Sequence, residues 1–211
     1  MQAELRLGFE RRGRPESIRV DNGNPWGSWG DLPTPLALWL VGLGIGVIWN
    51  PPRRPQDNGV VERSQGVARA WAEPETCRSP GELQRRLDAE DRVQRESYPH
   101  GAFASRLEAD PGLVHSGRPY SEAWERAHWS WERVLARMSE VMVRRQVDRC
   151  GKIGLYHDKP YVGTINRGRA VVAQFDATAR QWVISDPSGR ELCRRELTQF
   201  DAASLRRLRM E

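Results

Sequence analysis

Two stretches decide the fold: IRVDNG at residues 18–23 and LALWLVGLGIGVIW at residues 36–49. The first is typical of a short strand that ends in an Asn-Gly turn. The second starts as an uncharged run that favours a buried helix. It ends in the branched, apolar pattern of a central strand, Ile45 to Trp49. A strand, a helix and a second strand in this order predict an α/β arrangement for the front of the chain.

Helical patterns flank this core segment. Apolar spacing predicts a helix over residues 2–11, which Gly13 and Pro15 end, and a second helix over residues 60–72 after a loop. The sequence Ser79-Pro80-Gly81-Glu82 has the pattern of a capping box with proline at the first helical position, so a further helix begins there.

The pattern changes in the second half. Residues 99–119 are rich in Gly, Pro and His and are expected to form an extended connector, and residues 121–140 are expected to form one helix. From Val141 onward, apolar and polar residues alternate, and turn signals recur about every ten residues. This spacing is typical of a small β-barrel or sandwich.

Charge is distributed unevenly. The chain has 211 residues and a net charge of +5, yet the part from Arg144 to the end holds 14 basic and 8 acidic residues. Of the 33 basic residues only Lys152 and Lys159 are lysines. Guanidinium groups match phosphates in two-point geometry, so the tail predicts phosphate binding. A solvated surface in an arginine-biased sequence is the alternative that stays open.

Several classes of protein are excluded. Cys77, Cys150 and Cys193 have neither disulfide-framework nor zinc-site spacing, which suits a reducing, cytoplasmic compartment. The N-terminus lacks the apolar segment of a signal peptide, and prolines and glycines interrupt the uncharged stretch 32–52, so no membrane helix is expected. The four histidines form no cluster that supports nucleophilic catalysis.

Two acidic residues stand where a metal site can form. Asp21 ends the first strand, and Glu62 lies in the first turn of the helix after Asn58-Gly59. Carboxylate oxygens suit Mg²⁺, and two such ions can stabilise the attacking and leaving oxygens of an in-line phosphoryl transfer. The alternative is that Asp21 only belongs to a turn and that Glu62 only complements the helix dipole.

The order of these sequence words resembles the DDE transposases and retroviral-type integrases. IRVDNG is similar to the segment with the family's second aspartate. LALWL, LGI and PRRPQDNGVVER, the last at residues 52–63, are similar to the segment with the final glutamate. Weaker similarities to bacterial insertion-sequence transposases lie at residues 98–100 and 116–120, and the part from Arg144 is similar to the β-rich tail of those proteins.

The resemblance implies a partial ribonuclease H-like integrase core at residues 1–98, a connector with a helix at 99–140, and a small all-β barrel at 141–211. Asp21 and Glu62 then match the second catalytic aspartate and the catalytic glutamate, which bind Mg²⁺ or Mn²⁺ in that family. Asn58 and Gly59 match the turn that positions the glutamate, and Asp57 is a loop residue.

One departure from the family concerns its first aspartate, which lies on a strand well before the second. Three strands and a helix need about 40 to 60 residues. Only 20 residues precede Asp21, and none of them is an aspartate. We therefore expect an N-terminally truncated, inactive transposase. A non-catalytic DNA-binding remnant and an inhibitor that assembles with a full-length transposase are the alternatives.

DNA is the expected partner, both as element ends and as target. Transposition joins two ends, so a homo-oligomer is implied as well. Trp124, Trp129 and Trp131 have helical spacing that favours packing over base stacking. The candidate DNA-binding residues are Arg53, Arg54 and Arg63 beside the predicted active site, and Arg144, Arg145, Arg149, Lys152, Arg167 and Arg169 in the tail.

Overall fold

The computed structural model describes residues 1–27, 31–51 and 59–207. Within these ranges the chain is a mixed α/β protein with eight α-helices and six strands. In chain order the elements are α1 (Gln2–Arg12), β1 (Ser17–Val20), α2 (Pro35–Gly42), β2 (Gly46–Trp49), α3 (Gly59–Ala72), α4 (Pro80–Glu96), α5 (Arg106–Ala109), α6 (Glu122–His128), α7 (Trp131–Ser139), β3 (Met142–Gln146), β4 (Ala170–Asp176), β5 (Gln181–Ser185), β6 (Glu191–Glu196) and α8 (Ala202–Arg206).

The chain forms two compact units that interleave along the sequence. The first unit draws its described residues from Met1–Gln2, Glu16–Trp49 and Glu122–Glu211. The second unit draws them from Ala3–Pro15 and Asn50–Ser121. Segments far apart in sequence therefore belong to the same unit.

The predicted strand, helix and strand of the front segment are confirmed in the first unit. β1 and β2 pair in parallel, with Ser17 opposite Gly46 and Val20 opposite Trp49, and α2 lies between them in the chain. Many α/β folds contain such a unit, so it establishes the α/β class. The ribonuclease H-like fold is a finer assignment, and it stays a prediction.

Helix α2 is enclosed by the rest of the first unit. Leu36, Ala37, Leu38, Trp39 and Leu40 are all buried, and the helix packs against α7, α8 and β2. A helix that is apolar on every side has no solvent face, so it is stable only when other elements cover it completely.

The C-terminal end of α2 is closed by groups from the α6–α7 turn. The last carbonyls of a helix lack partners within the helix. Here the indole Nε1 of Trp129 donates to the Trp39 carbonyl at 3.0 Å. The Ser130 N–H and the Arg133 guanidinium both donate to the Gly42 carbonyl, each at 3.0 Å.

This closure also corrects the single helix expected at residues 121–140. The structure has two helices, α6 and α7, because the chain between them turns to place Trp129 and Ser130 on α2. Ser130 then caps α7, since its side-chain oxygen accepts from the Arg133 N–H at 3.3 Å.

The C-terminal strands form an open antiparallel sheet in the order β3-β4-β5-β6. In the part of the chain that the structure describes, β3 and β6 do not pair, so the predicted closed barrel is not found there. Within that part, the sheet does not close into a barrel because other elements cover its inner face. Its apolar residues join one core with Leu38 of α2 and with Val134 and Met138 of α7, so helices cover the face that a barrel would close upon itself.

Tyr156 connects the loop after β3 to the start of α2. Its hydroxyl donates to the Pro33 carbonyl at 2.9 Å, and its ring meets Phe200 edge-on with 5.2 Å between centroids. Burial raises the pKa of the Tyr156 phenol above its ordinary value. Folding of the first unit therefore favours the neutral form of the Tyr156 phenol.

The second unit is helical. α3 packs on α4, and α4 packs on α5, while Arg12 of α1 pairs with Asp91 of α4 at 2.8 Å. The predicted start of α4 is confirmed, because the Ser79 side chain accepts from the Glu82 N–H at 3.2 Å. Among the helices of the described ranges, none combines the length and the apolar character needed to cross a membrane.

Replacing Gly42 tests the closure of α2. A Cβ at this position would overlap the indole of Trp129. Gly42→Ala should lower the free energy of unfolding by about 1 to 3 kcal/mol, the usual cost of overpacking. Urea denaturation followed by tryptophan fluorescence measures it. Gly66→Ala is the matched control, since this helical glycine has open space and should gain up to about 1 kcal/mol. Equal effects at both positions would contradict the proposed closure.

Tyr156→Phe should cost about 0.5 to 1.5 kcal/mol at pH 8, because the Pro33 carbonyl loses its donor. The raised pKa means that this tyrosine stabilises the fold fully below its unfolded pKa of about 10 and loses that contribution as the pH rises further. The gap between wild type and variant should therefore shrink above pH 10. Urea denaturation at pH 8 and pH 11 checks this, and a gap that widens would refute it.

Candidate functional site

Asp21 is the first residue after β1. Its side chain is exposed, and its Oδ1 accepts from the Gly23 N–H at 3.1 Å, so it takes part in a turn. The following segment is tied to the end of β2, because the Trp49 indole donates to the Trp26 carbonyl at 2.9 Å. Asp21 thus stands at the carboxyl end of a parallel strand pair, which is where open α/β folds bind ligands.

Glu62 lies in the first turn of α3 in the second unit, and its side chain is exposed. It follows Val60 and Val61, which are 82% and 55% exposed. Gly59 opens the helix, and Arg63 is exposed beside Glu62. Four predicted residues lie outside the described ranges, namely Asn58, Arg53, Arg54 and the loop residue Asp57.

A metal site that combines Asp21 with Glu62 stays a prediction. The two residues belong to different units of the chain. Within residues 1–27, 31–51 and 59–207, no group of three or more His, Cys, Asp or Glu side chains is arranged to hold a metal ion. Carboxylate oxygens are nevertheless the donors that Mg²⁺ takes in proteins, often with only one or two carboxylates.

The predicted tail cations have different surroundings. The Arg145 guanidinium is committed to backbone carbonyls, since its Nε donates to Gly154 at 2.9 Å and its Nη1 donates to Arg144 at 2.8 Å. The neighbouring Arg144 is exposed opposite Val172 of β4. Arg145 therefore holds the loop that follows β3 against the sheet.

The other four tail cations are exposed in the segment between β3 and β4. None of them forms an ion pair with any part of the chain that the structure describes, whereas Arg194 is held by both Glu191 and Asp176 at 3.0 Å. Arg190 is likewise paired, with Asp186 at 3.3 Å. Four exposed cations without an ion pair in the described ranges therefore lie between β3 and β4, namely Arg149, Lys152, Arg167 and Arg169.

Asp148 organises the start of this segment. Its Oδ1 accepts from the N–H groups of Lys152 and Cys150 at 2.9 and 2.8 Å. The Lys152 N–H lowers the pKa of Asp148 most, and the Cys150 N–H and the charges of Lys159 and Lys152 lower it further. Neither Asp148 nor Lys159 was predicted from the sequence as a site residue. The available signal was that the only two lysines of the chain lie seven residues apart in this segment.

The tryptophans of α6, α7 and the turn between them follow the packing prediction. Trp129 and Trp131 pack against the hydrophobic core of the first unit. Trp124 stacks on His128 of the same helix, with 4.6 Å between ring centroids and nearly parallel planes. Each of these rings therefore packs against protein groups.

No protein-family model matches this sequence. Among solved structures, the chain is similar to one chain of the cryo-EM structure of the simian T-cell lymphotropic virus intasome in complex with the PP2A regulatory subunit B56 gamma. The sequence identity is 15% and the TM-score is 0.41. The similarity covers 94% of the present chain, which spans 64% of that chain's length.

The different contacts of Arg144 and Arg145, two neighbouring residues of β3, can be tested by substitution. Arg145→Ala should lower the free energy of unfolding by about 0.5 to 1.5 kcal/mol, because the Gly154 carbonyl loses its donor. Arg144→Ala should stay within about 0.5 kcal/mol of wild type, as exposed positions usually do. Urea denaturation measures both variants, and equal stabilities would show that the Arg145 contacts contribute nothing.

Proposed function

We propose that this chain is a DNA-binding protein of the DDE transposase and integrase type, and that its 211 residues by themselves bind DNA without cleaving it. The observation that carries the proposal is the place of Asp21. It is exposed directly after β1, which pairs in parallel with β2, and it stands within the sequence words that resemble this family.

Asp21 and Glu62 would hold Mg²⁺ or Mn²⁺ on a ribonuclease H-like core. Such ions supply stabilisation of the charge that develops on phosphate oxygens during transfer. The two side chains fit this task chemically, since both are exposed carboxylates at the end of an element. Gly59 would set the direction of the α3 N-terminus, and with it the position of Glu62.

The DNA-binding part of the proposal rests on charge. Arg149, Lys152, Arg167 and Arg169 are exposed and free of ion pairs within the described ranges. Cations of this kind bind backbone phosphates and release counterions, so binding depends steeply on salt. Such contacts are largely independent of sequence, which suits a chain that binds both element ends and target DNA.

The second candidate function is a non-catalytic role, either as a DNA-binding remnant or as an inhibitor that assembles with a full-length transposase. It is favoured by the exposed cations between β3 and β4, because phosphate binding by such residues needs neither Asp21 nor Glu62. In both cases the partners are DNA and further protein chains of the same kind, since transposition joins two DNA ends.

DNA binding is tested by fluorescence anisotropy of a labelled 30-base-pair duplex between 50 and 200 mM salt. Lys152→Gln and Arg167→Gln should each weaken binding severalfold and reduce the slope of log K against log salt by about 0.9. Arg126→Gln is the matched control, since this arginine pairs with Glu122 at 2.9 Å and should leave the slope unchanged. Failure to bind duplex at the lowest salt would overturn the DNA-binding proposal.

The carboxylates are tested separately, with Asp21→Asn and Glu62→Gln. Both variants should keep DNA affinity within about twofold, since neither residue belongs to the cationic segment. Neither variant nor wild type should nick duplex DNA with Mg²⁺ or Mn²⁺, but wild type should bind Mn²⁺ more tightly than either variant in a paramagnetic-resonance titration. Metal-dependent nicking by wild type that Asp21→Asn abolishes would show that the chain is an active enzyme.

A further inference from the structure

Ile165 is an aliphatic side chain at the tip of a short 3₁₀ turn, Thr164–Asn166, in the segment between β3 and β4. It is 82% exposed, more than Met142 and Tyr161 of the same unit at 60% and 47%. A single exposed apolar residue is ordinary on protein surfaces. Ile165 differs from such residues because it lies on a tightly held turn close to exposed cations.

The turn that carries Ile165 is tightly held. Asn166 is buried, and its Nδ2 donates to the Val162 carbonyl at 3.0 Å. The Thr164 N–H donates to the Tyr161 hydroxyl at 3.1 Å. Gly151 packs so closely beneath the turn that an added Cβ would lie 2.6 Å from the Thr164 nitrogen. Ile165 is therefore presented to solvent by a preorganised loop.

Three exposed cations lie near this turn, one across a bridge and two along the chain. Lys152 and Tyr161 form an antiparallel bridge, which places their side chains next to each other on one side of the loop. Because the Tyr161 hydroxyl contacts the Thr164 N–H, the row continues from Lys152 through Tyr161 to the turn of Ile165. Arg167 and Arg169 follow Ile165 by two and four residues, and both are exposed.

The charges at the tip are available to an outside partner. Lys152, Arg167 and Arg169 have no ion pair in the described part of the chain, although the nearby sheet pairs Arg190 and Arg194 with its own carboxylates. Interface cores between proteins are depleted of charge, whereas a small apolar tip among cations suits a polyanion with an apolar interior. Duplex DNA has this character, because charged phosphates flank its grooves and its interior consists of stacked bases.

We propose that Ile165 inserts against a base step in a groove of duplex DNA while Lys152, Arg167 and Arg169 bind the flanking phosphates. Apolar wedges of this type partly unstack bases and kink the duplex. The inference rests on the proposed DNA binding and adds a specific contact to it. The cations supply salt-dependent affinity, and Ile165 supplies an affinity component that salt does not screen, together with a local distortion of the DNA.

The experiment uses the full chain and a 30-base-pair duplex that contains 2-aminopurine. Wild type should raise the 2-aminopurine fluorescence on binding, since unstacking relieves its quenching. Ile165→Ala should weaken binding about 5- to 30-fold at every salt concentration, abolish the fluorescence rise and leave the salt slope unchanged. Met142→Ala is the matched control, an exposed apolar residue on β3 that should change none of these readouts.

The cation variants separate the two roles. Arg167→Gln should reduce the salt slope by about 0.9 and keep the fluorescence rise in the DNA-bound state. If wild type binds the duplex and Ile165→Ala binds with equal affinity and an equal fluorescence rise, the insertion of Ile165 is refuted and the proposed DNA binding stands. If wild type does not bind the duplex at low salt, both proposals fail together.

Discussion

The first unit depends on the enclosure of one helix. α2 carries Leu, Ala and Trp side chains on every side, so water must be excluded around most of its circumference. Local hydrogen bonds cannot achieve this. The α6–α7 turn therefore has to close its end, and the inner face of the C-terminal sheet joins its core through Leu38. The interleaved arrangement of the first unit follows from this requirement, because the covering elements come from the second half of the sequence.

The same requirement explains why the C-terminal strands do not close into a barrel within the described residues. Their inner face is apolar, as the alternation from Val141 predicts, but helices cover it. Once the face is covered, the loop between β3 and β4 is held by carbonyl contacts of Arg145 and by the hydroxyl of Tyr156. The same segment exposes the cations and Ile165 to solvent.

Much of the local structure was predictable because the signals are local. Prolines, glycines and the Ser79–Glu82 pair mark helix ends, and periodicity marks the strands, so β1, α2, β2 and α3 lie within a residue or two of the expected positions. The division of residues 121–140 into α6 and α7 was not predictable. It depends on Trp129 meeting the end of α2, a contact between residues 90 positions apart. Sequence spacing also could not separate Arg145, which binds carbonyls, from the cations that stay exposed.

The sequence by itself determined the α/β class of the front segment, the alternating strands of the tail and the placement of Asp21 and Glu62 at element ends. Each of these is a property of neighbouring residues, where backbone preference and side-chain periodicity decide. Only the tertiary structure decided which surfaces cover α2, that the tail sheet stays open within the described residues, and which cations remain unpaired. These outcomes depend on contacts between apolar faces and between opposite charges that lie far apart in the sequence. Local sequence patterns do not contain that information.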